Sequence, residues 1–582
     1  MIKKRLEQLR SKMYENDLDV YYLNTQDYHM SEYIPDYFKT LRYFSGFTGS
    51  MATLIVTFEE AVIFVDGRYH EQAEKQCSPS GITVMKLGTQ GAISSENYLK
   101  SQCQGKRIGL DGKCVNAGLV KRLKDAGPNI KSVDIYSDIY DDRPTLASDA
   151  LYELDVKYTG LTRAQKLDMV KRIFTKNVHV LTDLISIAYI LNLRGNDIIY
   201  TPVFMSYMVF DGEDVYLFID KTRLSDALLE ALFRDGIIIK EYQDFYNFLK
   251  TIKNKTVLLD ENKVNWEAYS SLDKSNRIIA MRSVIEEMRA VKNKVEIDNA
   301  IQAHIYDGVA MVRFMKWLKE SDLKDLRETD VKNKLDSFRL EYKAFDLSFD
   351  SIVAYEANAA MMHYSPEQGA NAKLKNKGIL LVDSGGQYYE GTTDITRTFA
   401  LGPVTKKVKR HFSLVLRSMF NLQDLRFLAG LTGNQIDIVA RKDLWHEGID
   451  YRCGTGHGVG QVLSVHDSLP RVVYNVNADS SEPLKPGHIF SDEPGVYIPD
   501  KYGIRCENLL LCKEVEKNEY GTFLGFKALT LVPFDLDLID KEVLGEDGTR
   551  LLNAYHTEVY KTLAPYLDKE EQEYLKKATA TI

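Results

Sequence analysis

The feature that most constrains the fold is an order of elements that occurs near the amino terminus and returns about 155–160 residues later. In the first copy, Leu6, Leu9 and Met13 recur at helical spacing and predict an amphipathic helix. β-prone runs follow it at 20–23, 53–57 and 62–66. In the second copy, Leu167, Val170, Ile173 and Phe174 predict the helix, and the β-prone runs are 178–181 and 215–220. The pattern therefore predicts two related α/β domains in tandem, although two unrelated α/β domains can also look this alike.

The length of the chain leaves room for a further domain. At about 100–200 residues per domain, 582 residues correspond to roughly three to five domains. A charge-rich stretch near residue 290 leads into a long amphipathic helix, and the chain beyond it is rich in glycine turns and strand-like alternation. We predict domains at 1–155, 156–290 and 291–582, with the catalytic residues in the last.

Composition excludes several classes of protein. The net charge is −8, from 75 Lys and Arg against 83 Asp and Glu, so nucleic acid is a poor partner. The six cysteines are sparse and show no C-x-x-C spacing, which favours reduced thiols in a cytoplasm. The charged amino terminus is not followed by an apolar segment, and no run approaches about 18 apolar residues. We expect a cytoplasmic protein with no membrane span.

Two aspartates flank a predicted hairpin in the last domain. Asp383 ends the apolar run 378–383, and Asp394 follows eleven residues later, before another β-prone run. If the connecting loop has an even number of residues, an odd separation places both side chains on one face of the hairpin. Such a pair can share a cation, whereas an aspartate at a strand end is otherwise a turn or cap residue.

Three further candidate ligands follow in the chain. His457 lies in the glycine-rich run 454–460, which lacks the spacings of phosphate-binding loops and leaves room for close backbone approach. Glu493 and Glu507 lie in or beside β-prone sequence. Taken singly, the histidine also fits a structural role and each glutamate also fits a surface charge.

Together these residues form a set of four carboxylates and one imidazole: Asp383, Asp394, His457, Glu493 and Glu507. Four negative charges in a partly buried site repel one another unless cations neutralise them. Two divalent ions balance the sum, and an oxygen-rich set without thiolates suits Mn²⁺ or Co²⁺ better than structural zinc. Two such ions about 3.5–4 Å apart bind a bridging water and lower its pKa, so the set predicts hydrolysis.

These motifs resemble the dinuclear metallopeptidases of the pita-bread fold, and in particular the three-domain aminopeptidase P family. The similar stretches run through nearly the whole chain, at 44–50, 65–69, 192–195, 202–204, 381–388, 391–398, 454–460, 492–495, 503–508, 529–533 and 552–556. The resemblance implies a mixed α/β (α+β) chain, with two creatinase-like α/β domains followed by a pita-bread catalytic domain.

The resemblance also implies an activity. It points to release of the amino-terminal residue from peptides with proline second, by a hydroxide that bridges two divalent ions, with Mn²⁺ as the expected metal. Asp383, Asp394 and Glu507 are implied to reach or bridge both ions, while His457 and Glu493 complete the two shells. A homodimer formed through the catalytic domains is implied as well.

Further residues take roles from the same resemblance. His363 and His466 are implied to flank the substrate and to assist proton transfer or stabilise the tetrahedral intermediate. Glu493 is implied to take the proton from the attacking water. Tyr497 and Arg505 are implied to orient the metal ligands, and such outer partners commonly affect metal affinity.

Departures from the family pattern concern the substrate pocket and the ligand strand. His466 is followed by Asp467-Ser-Leu-Pro, where the family has an acidic-Gly-Pro turn, so the pocket shape is left open. Cys506 replaces a more usual aliphatic residue, and strand alternation predicts that it points away from the metals into the core. For Arg68 we favour a role in bracing the first domain over contact with substrate.

Three alternative functions remain. Prolidase shares the five ligands and takes dipeptides, but two tandem amino-terminal domains are not expected of it. Methionine aminopeptidase shares the metals but lacks such domains. Metal-free pita-bread binding modules have lost the ligands, whereas this sequence has all five.

Overall fold

The computed structural model describes residues 1–174, 177–367, 370–476 and 479–582. The chain divides into two compact units, residues 1–156 with 161–285 and residues 157–160 with 286–582. Among the helices described, none is both long and apolar enough to cross a membrane.

The first unit contains two mixed sheets with one shared topology. In order across the first sheet, the strands are Thr83–Lys86, Ala61–Val65, Thr53–Thr57, Val20–Asn24, Arg107–Leu110 and Asn129–Ser132. Across the second sheet they are Ile237–Lys240, Asp214–Phe218, Tyr207–Asp211, Val178–Leu181, Thr256–Leu259 and Arg277–Ala280. In both sheets the earliest strand pairs antiparallel with the next strand on one side and parallel with a later strand on the other. The shared topology confirms the prediction of two related α/β folds in tandem.

Helices cover these sheets. They are Ile2–Glu15, Thr40–Ser45, His70–Cys77, Ser95–Gln102, Ala117–Asp125, Arg163–Phe174, Leu184–Leu191, Asp226–Arg234, Phe245–Leu249 and Trp266–Ser271, with Val156–Thr159 and Val284–Ala290 where the chain passes between units. The predicted apolar faces of Ile2–Glu15 and Arg163–Phe174 are buried, except that Ile173 is exposed at the edge of its stripe. Arg68 donates two hydrogen bonds to the carboxylate of Asp66, at 2.9 and 2.8 Å, as expected of a bracing residue.

The second unit is built from several smaller sheets and long helices. Its largest sheet has the order Phe427–Leu428, Gly521–Ala528, Asn508–Asn518, Ile489–Asp492, Gly456–Gly458 and Asp467–Val472. Its smaller sheets are Ile352–Tyr355 with Ile379–Ser384 and Ile395–Ala400, Asp346–Leu347 with Gly386–Tyr388 and Gly391–Thr392, and Gly495–Ile498 with Tyr502–Arg505. Its helices are Lys294–Glu320, Glu328–Leu340, Lys406–Gln423, Gly433–His446, Lys541–Leu563 and Lys569–Ala578.

The long predicted helix, Lys294–Glu320, supports the sheet that carries the two aspartates. It begins at Asn293, whose side chain accepts from the backbone of the first turn in a capping box. Its buried Phe314 packs in one apolar cluster with Val382 and Phe399, which lie on adjacent strands. This cluster fixes one face of the strand pair, so Asp383, which follows Val382 in its strand, is directed to the other face.

Candidate metal centre

The two aspartates lie on one face of an antiparallel strand pair. Asp383, in strand Ile379–Ser384, is directly opposite Thr396 of strand Ile395–Ala400. Asp394 precedes Thr396 by two residues, so its side chain is directed to the same face of the pair. The local register therefore delivers both carboxylates to one site.

The connection between the aspartates differs from the single turn that the sequence predicts. Residues 386–392 form a separate small hairpin that pairs with strand Asp346–Leu347. Where the chain leaves the aspartate sheet, Gly385 has no room for a side chain, because a Cβ would lie 2.0 Å from the carbonyl oxygen of Thr393. The glycine lets the chain cross itself and return in register.

Glycines on both sides of His457 let neighbouring strands approach it closely. A Cβ at Gly456 would lie 1.7 Å from the carbonyl oxygen of Ser491, and one at Gly458 would lie 1.9 Å from that of Leu469. The Nδ1 atom of His457 is 2.9 Å from the carbonyl oxygen of Gly458. If Nδ1–H donates to this carbonyl, Nε2 carries the lone pair that can bind a metal.

The imidazole faces the carboxylates. Nε2 of His457 lies 3.6 Å from Oδ2 of Asp394 and 3.3 Å from Oε1 of Glu493. One ligand atom from each of Asp394, His457 and Glu507 lies within 4.8 Å of the others. Three candidate ligands from separate segments of the second unit thus converge at the spacing that a bound metal ion requires.

A chain of hydrogen bonds behind the ligands sets their orientation. The hydroxyl of Thr396 donates to Oε2 of Glu507 at 2.7 Å. The guanidinium of Arg505 donates to the Thr396 hydroxyl at 2.9 Å, to the Tyr497 hydroxyl at 2.6 Å, and to the carboxylate of Asp383. The contacts of Tyr497 and Arg505 place both residues directly behind the carboxylates.

Two carboxylate oxygens at the centre fit a cation. Among the side chains that the structure describes, Oδ1 of Asp383 and Oε1 of Glu507 are buried without a hydrogen-bond donor. Leaving an anionic oxygen buried and unpaired is costly, and a divalent cation satisfies such oxygens directly. The donor set therefore fits bound divalent metal.

Electrostatic repulsion among the ligands supports the same conclusion. Burial, followed by the charges of Glu507, Asp383 and Glu493, raises the pKa of Asp394 well above its usual value. Burial, followed by the charge of Glu493, likewise raises the pKa of Glu507. Burial is also the main cause that raises the pKa of Glu493. Without a cation, the folded protein resists full ionisation of this cluster.

The two other candidate histidines, His466 and His363, lie in different surroundings. The ring of His466 meets the ring of His457 edge-on, with centroids 4.4 Å apart. His363 is half-buried in a turn that follows the short 3-10 helix Glu356–Ala360. That 3-10 helix packs against strand Tyr502–Arg505. The structure thus places His466 beside a candidate ligand and the His363 segment beside the strand that ends in Arg505.

Sequence reasoning missed Thr396 at the centre and Arg289, which pairs with the residue that follows His466. Thr396 is two positions after Asp394, so strand alternation could have found it. Arg289 donates to the carboxylate of Asp467 at 2.7 Å, and the two side chains are 2% and 1% exposed. No local pattern links them, because they are 178 residues apart. Cys506 lies in the apolar core, as predicted, and burial raises its pKa to about 12.

Comparison with protein-family models covers most of the chain. The model for metallopeptidase family M24 matches residues 298–514, and the model for its C-terminal region matches residues 522–582. Two models for the creatinase/prolidase N-terminal domain match residues 5–144 and 142–296.

Relatives match over nearly the full length. A probable Xaa-Pro aminopeptidase P from Pyrenophora teres f. teres is 36% identical, covering 99% of this chain and 92% of the relative. Another from Coprinopsis cinerea is 35% identical, covering 100% and 98%. The crystal structure of X-prolyl aminopeptidase from Caenorhabditis elegans, described as a cytosolic enzyme with a di-nuclear active site, is 31% identical. It superposes with a TM-score of 0.94 over 100% of both chains.

Tandem α/β folds ahead of a buried cluster of carboxylates and one imidazole define the chain as a metal-dependent hydrolase. With the matches above, it belongs to metallopeptidase family M24 and, within it, to the aminopeptidase P group.

Proposed function

We propose that this chain is an aminopeptidase that releases the amino-terminal residue from peptides with proline in the second position. The observation that carries the proposal is the convergence of four carboxylates and His457 around two unpaired, buried carboxylate oxygens. Similarity over the whole chain to X-prolyl aminopeptidase from C. elegans supports the choice of substrate.

The ligand set of the proposal comprises Asp383, Asp394, His457, Glu493 and Glu507. It holds two divalent metals, for which Mn²⁺ is our proposed identity because oxygen donors predominate and thiolates are missing from the set. When bound, such a pair of ions activates water as a nucleophile and polarises the carbonyl of the scissile bond. Tyr497 and Arg505 keep the carboxylates in orientation through the hydrogen bonds described above.

Proton transfer falls to residues at the edge of the cluster. Glu493 takes the proton from the attacking water. Oε1 of Glu493 also accepts from the hydroxyl of Ser491 at 3.0 Å, which holds the carboxylate in place. His363 and His466 flank the substrate and assist proton transfer or stabilise the tetrahedral intermediate.

Proline in the second position suits a dedicated enzyme. An Xaa-Pro bond is a tertiary amide without an N–H, and the pyrrolidine ring fixes φ. General peptidases that grip the backbone N–H therefore handle this bond poorly. We propose that the pyrrolidine ring occupies the region around His363 and His466.

Several features of the whole molecule complete the proposal. We propose domains at 1–155, 156–290 and 291–582, a cytoplasmic location, and a homodimer formed mainly through the catalytic domains. The description of the C. elegans enzyme as cytosolic supports the location. A monomer mass in light scattering at working concentration would count against the homodimer.

A three-peptide assay tests the activity. Chelator-stripped protein is given Arg-Pro-Pro, Arg-Ala-Pro or the dipeptide Arg-Pro, with and without Mn²⁺, and release of arginine is measured. Metal-dependent cleavage of Arg-Pro-Pro alone is the expected result. Cleavage of only the dipeptide would mean prolidase, and inertness towards all three peptides would favour a binding module.

A further inference from the structure

The turn that carries His363 is tied to one buried carboxylate. Glu328, the first residue of helix Glu328–Leu340, is 0% exposed. Its Oε1 atom accepts from the backbone N–H of Tyr355 at 2.7 Å and from Nδ2 of Asn358 at 2.9 Å. One oxygen of Glu328 therefore holds the segment that leads into the turn.

The other oxygen of Glu328 binds two residues that follow His363 in the chain. Oε2 accepts from the hydroxyl of Tyr364 at 2.7 Å and from the backbone N–H of Ala372 at 2.6 Å. The same Tyr364 hydroxyl accepts from the backbone N–H of Asn371 at 2.9 Å. Tyr364 directly follows His363 in the chain, so the anchor lies one residue from the histidine.

These contacts are not explained by the start of the helix. That start has its own cap, because Oδ2 of Asp330 accepts from the backbone N–H of Arg327 at 2.7 Å in a capping box. The donors to Glu328 are two backbone amides, one side-chain amide and one phenol, all neutral and all within residues 355–372.

The anchored segment also packs close to the metal centre. A Cβ at Gly503 would lie 1.8 Å from the carbonyl oxygen of Ala359, which belongs to the 3-10 helix before the turn. Gly503 is two residues from Arg505, whose guanidinium donates to Asp383. The 3-10 helix that leads into the turn is therefore in direct contact with the strand that ends in Arg505.

We infer that Glu328 is a positioning residue that fixes the turn carrying His363 in its working place. The inference rests on the proposed function, in which His363 flanks the substrate. Misplacing a substrate-side group by about 1 Å costs on the order of 100-fold in rate. Loss of the Glu328 anchor should act mainly through His363 and leave the metal ligands in place.

The variants are Glu328→Gln and the milder Tyr364→Phe, with Asp330→Asn as the matched control. The first places an N–H₂ group among donors, and the second removes one hydroxyl from the anchor. The control makes the same carboxylate-to-amide change on the same helical turn, at a side chain that accepts from the backbone N–H of Arg327. We expect kcat/KM for Arg-Pro-Pro to fall by about 10–100-fold in both test variants and by less than about threefold in the control.

A double-mutant cycle with His363→Ala separates positioning from general damage. If Glu328 acts through His363, Glu328→Gln should lower kcat/KM further by less than about threefold in the His363→Ala background. Affinity for Mn²⁺ should stay within about threefold of the unmutated protein in every variant. The inference would be overturned if the fold-losses in kcat/KM of Glu328→Gln and His363→Ala multiply in the double variant. A loss of Mn²⁺ affinity as large as the loss of rate would also overturn it.

Hydrogen exchange of the Mn²⁺-loaded protein gives a readout that does not depend on turnover. Glu328→Gln should speed amide exchange in residues 355–367 by about tenfold or more, while Asp330→Asn leaves that segment unchanged. Unchanged exchange in Glu328→Gln would overturn the anchoring role even if the unmutated chain cleaves Xaa-Pro peptides. Faster exchange in a protein inert towards these peptides would instead contradict the proposed function alone.

Discussion

Removing the hydroxyl of Thr396 should weaken metal binding without unfolding the protein. Thr396→Val keeps the shape of the side chain but deletes the donor that reaches Oε2 of Glu507 at 2.7 Å. The same change removes the acceptor for the guanidinium of Arg505, 2.9 Å away. Arg505 in turn donates to Asp383, so the variant loosens two candidate ligands at once.

The expected size follows from these contacts. A hydrogen bond to a charged group contributes about 1.5–3 kcal/mol, and loss of an outer partner typically costs about 10–100-fold in metal affinity. At about 1.4 kcal/mol per tenfold, that loss corresponds to about 1.4–2.7 kcal/mol of binding free energy. The two ranges agree, so we expect affinity for Mn²⁺ to fall by about 10–100-fold.

Thr398→Val is the matched control, because Thr398 is the next residue on the same face of the strand. Its hydroxyl donates to the backbone carbonyl of Arg505 at 3.1 Å and accepts from the backbone N–H of the same Arg505 at 3.3 Å. These bonds are longer and neutral, so the control should cost about 0.5–1.5 kcal/mol of folding stability and leave metal affinity within about threefold.

Calorimetric titration of chelator-stripped protein with Mn²⁺ measures the affinities, and thermal unfolding shows whether each variant is folded. Equal Mn²⁺ affinity in Thr396→Val and Thr398→Val would refute the reasoning, since the two variants differ in contact with the ligands and not in the chemical change.

Three further predictions concern the cluster and its surroundings. Asp394→Asn should stay folded by circular dichroism but lose turnover of Arg-Pro-Pro by at least about 100-fold, and near-normal activity would contradict the ligand assignment. The raised pKa values of Asp394 and Glu507 mean that the folded metal-free form favours protonated carboxyls. The stability that these two protonated carboxyls contribute is therefore fully present below about pH 4 and is lost as pH rises, so at a fixed Mn²⁺ concentration the gain in Tm from Mn²⁺ should grow from about pH 6 to about pH 8. Where free Mn²⁺ is 100 times Kd, binding adds about 2.7 kcal/mol per site to the free energy of unfolding. A gain in Tm that does not change with pH at fixed Mn²⁺ concentration would argue against repulsion in the cluster. Arg289→Met should lower the free energy of unfolding in urea by about 3–5 kcal/mol because Asp467 stays buried without its guanidinium partner, and a loss under about 1 kcal/mol would contradict this.

Hydrophobic periodicity and residue spacing predicted the helices, the strands and the shared face of the two aspartates. The helix with Leu6, Leu9 and Met13 and the strands that follow it have simple periodicities, and the same is true of their repeats in the second sheet. Shared order alone could not prove common topology, which is visible only when strand partners are known. The odd spacing of Asp383 and Asp394 fixed their common face, even though the chain between them forms a second hairpin.

Contacts between segments far apart in the chain could not be predicted from the sequence. Glu328 anchors residues up to 44 positions later, and Arg289 pairs with Asp467 across 178 positions. Neither pairing leaves a periodic trace, because each depends on tertiary packing that brings unrelated turns together. Sequence alone does not show whether a charged residue such as Glu328 lies on the surface or is buried against another segment. The structure is needed to show its burial.

Metal stoichiometry coupled to turnover tests the central claim most directly. Chelator-stripped protein is titrated with Mn²⁺ while release of arginine from Arg-Pro-Pro is followed, and bound metal per chain is measured in parallel. The account predicts activity that rises from the baseline and reaches its plateau when about two ions are bound per chain. Full turnover without metal, or folded protein that binds two ions and leaves Arg-Pro-Pro intact, would contradict it.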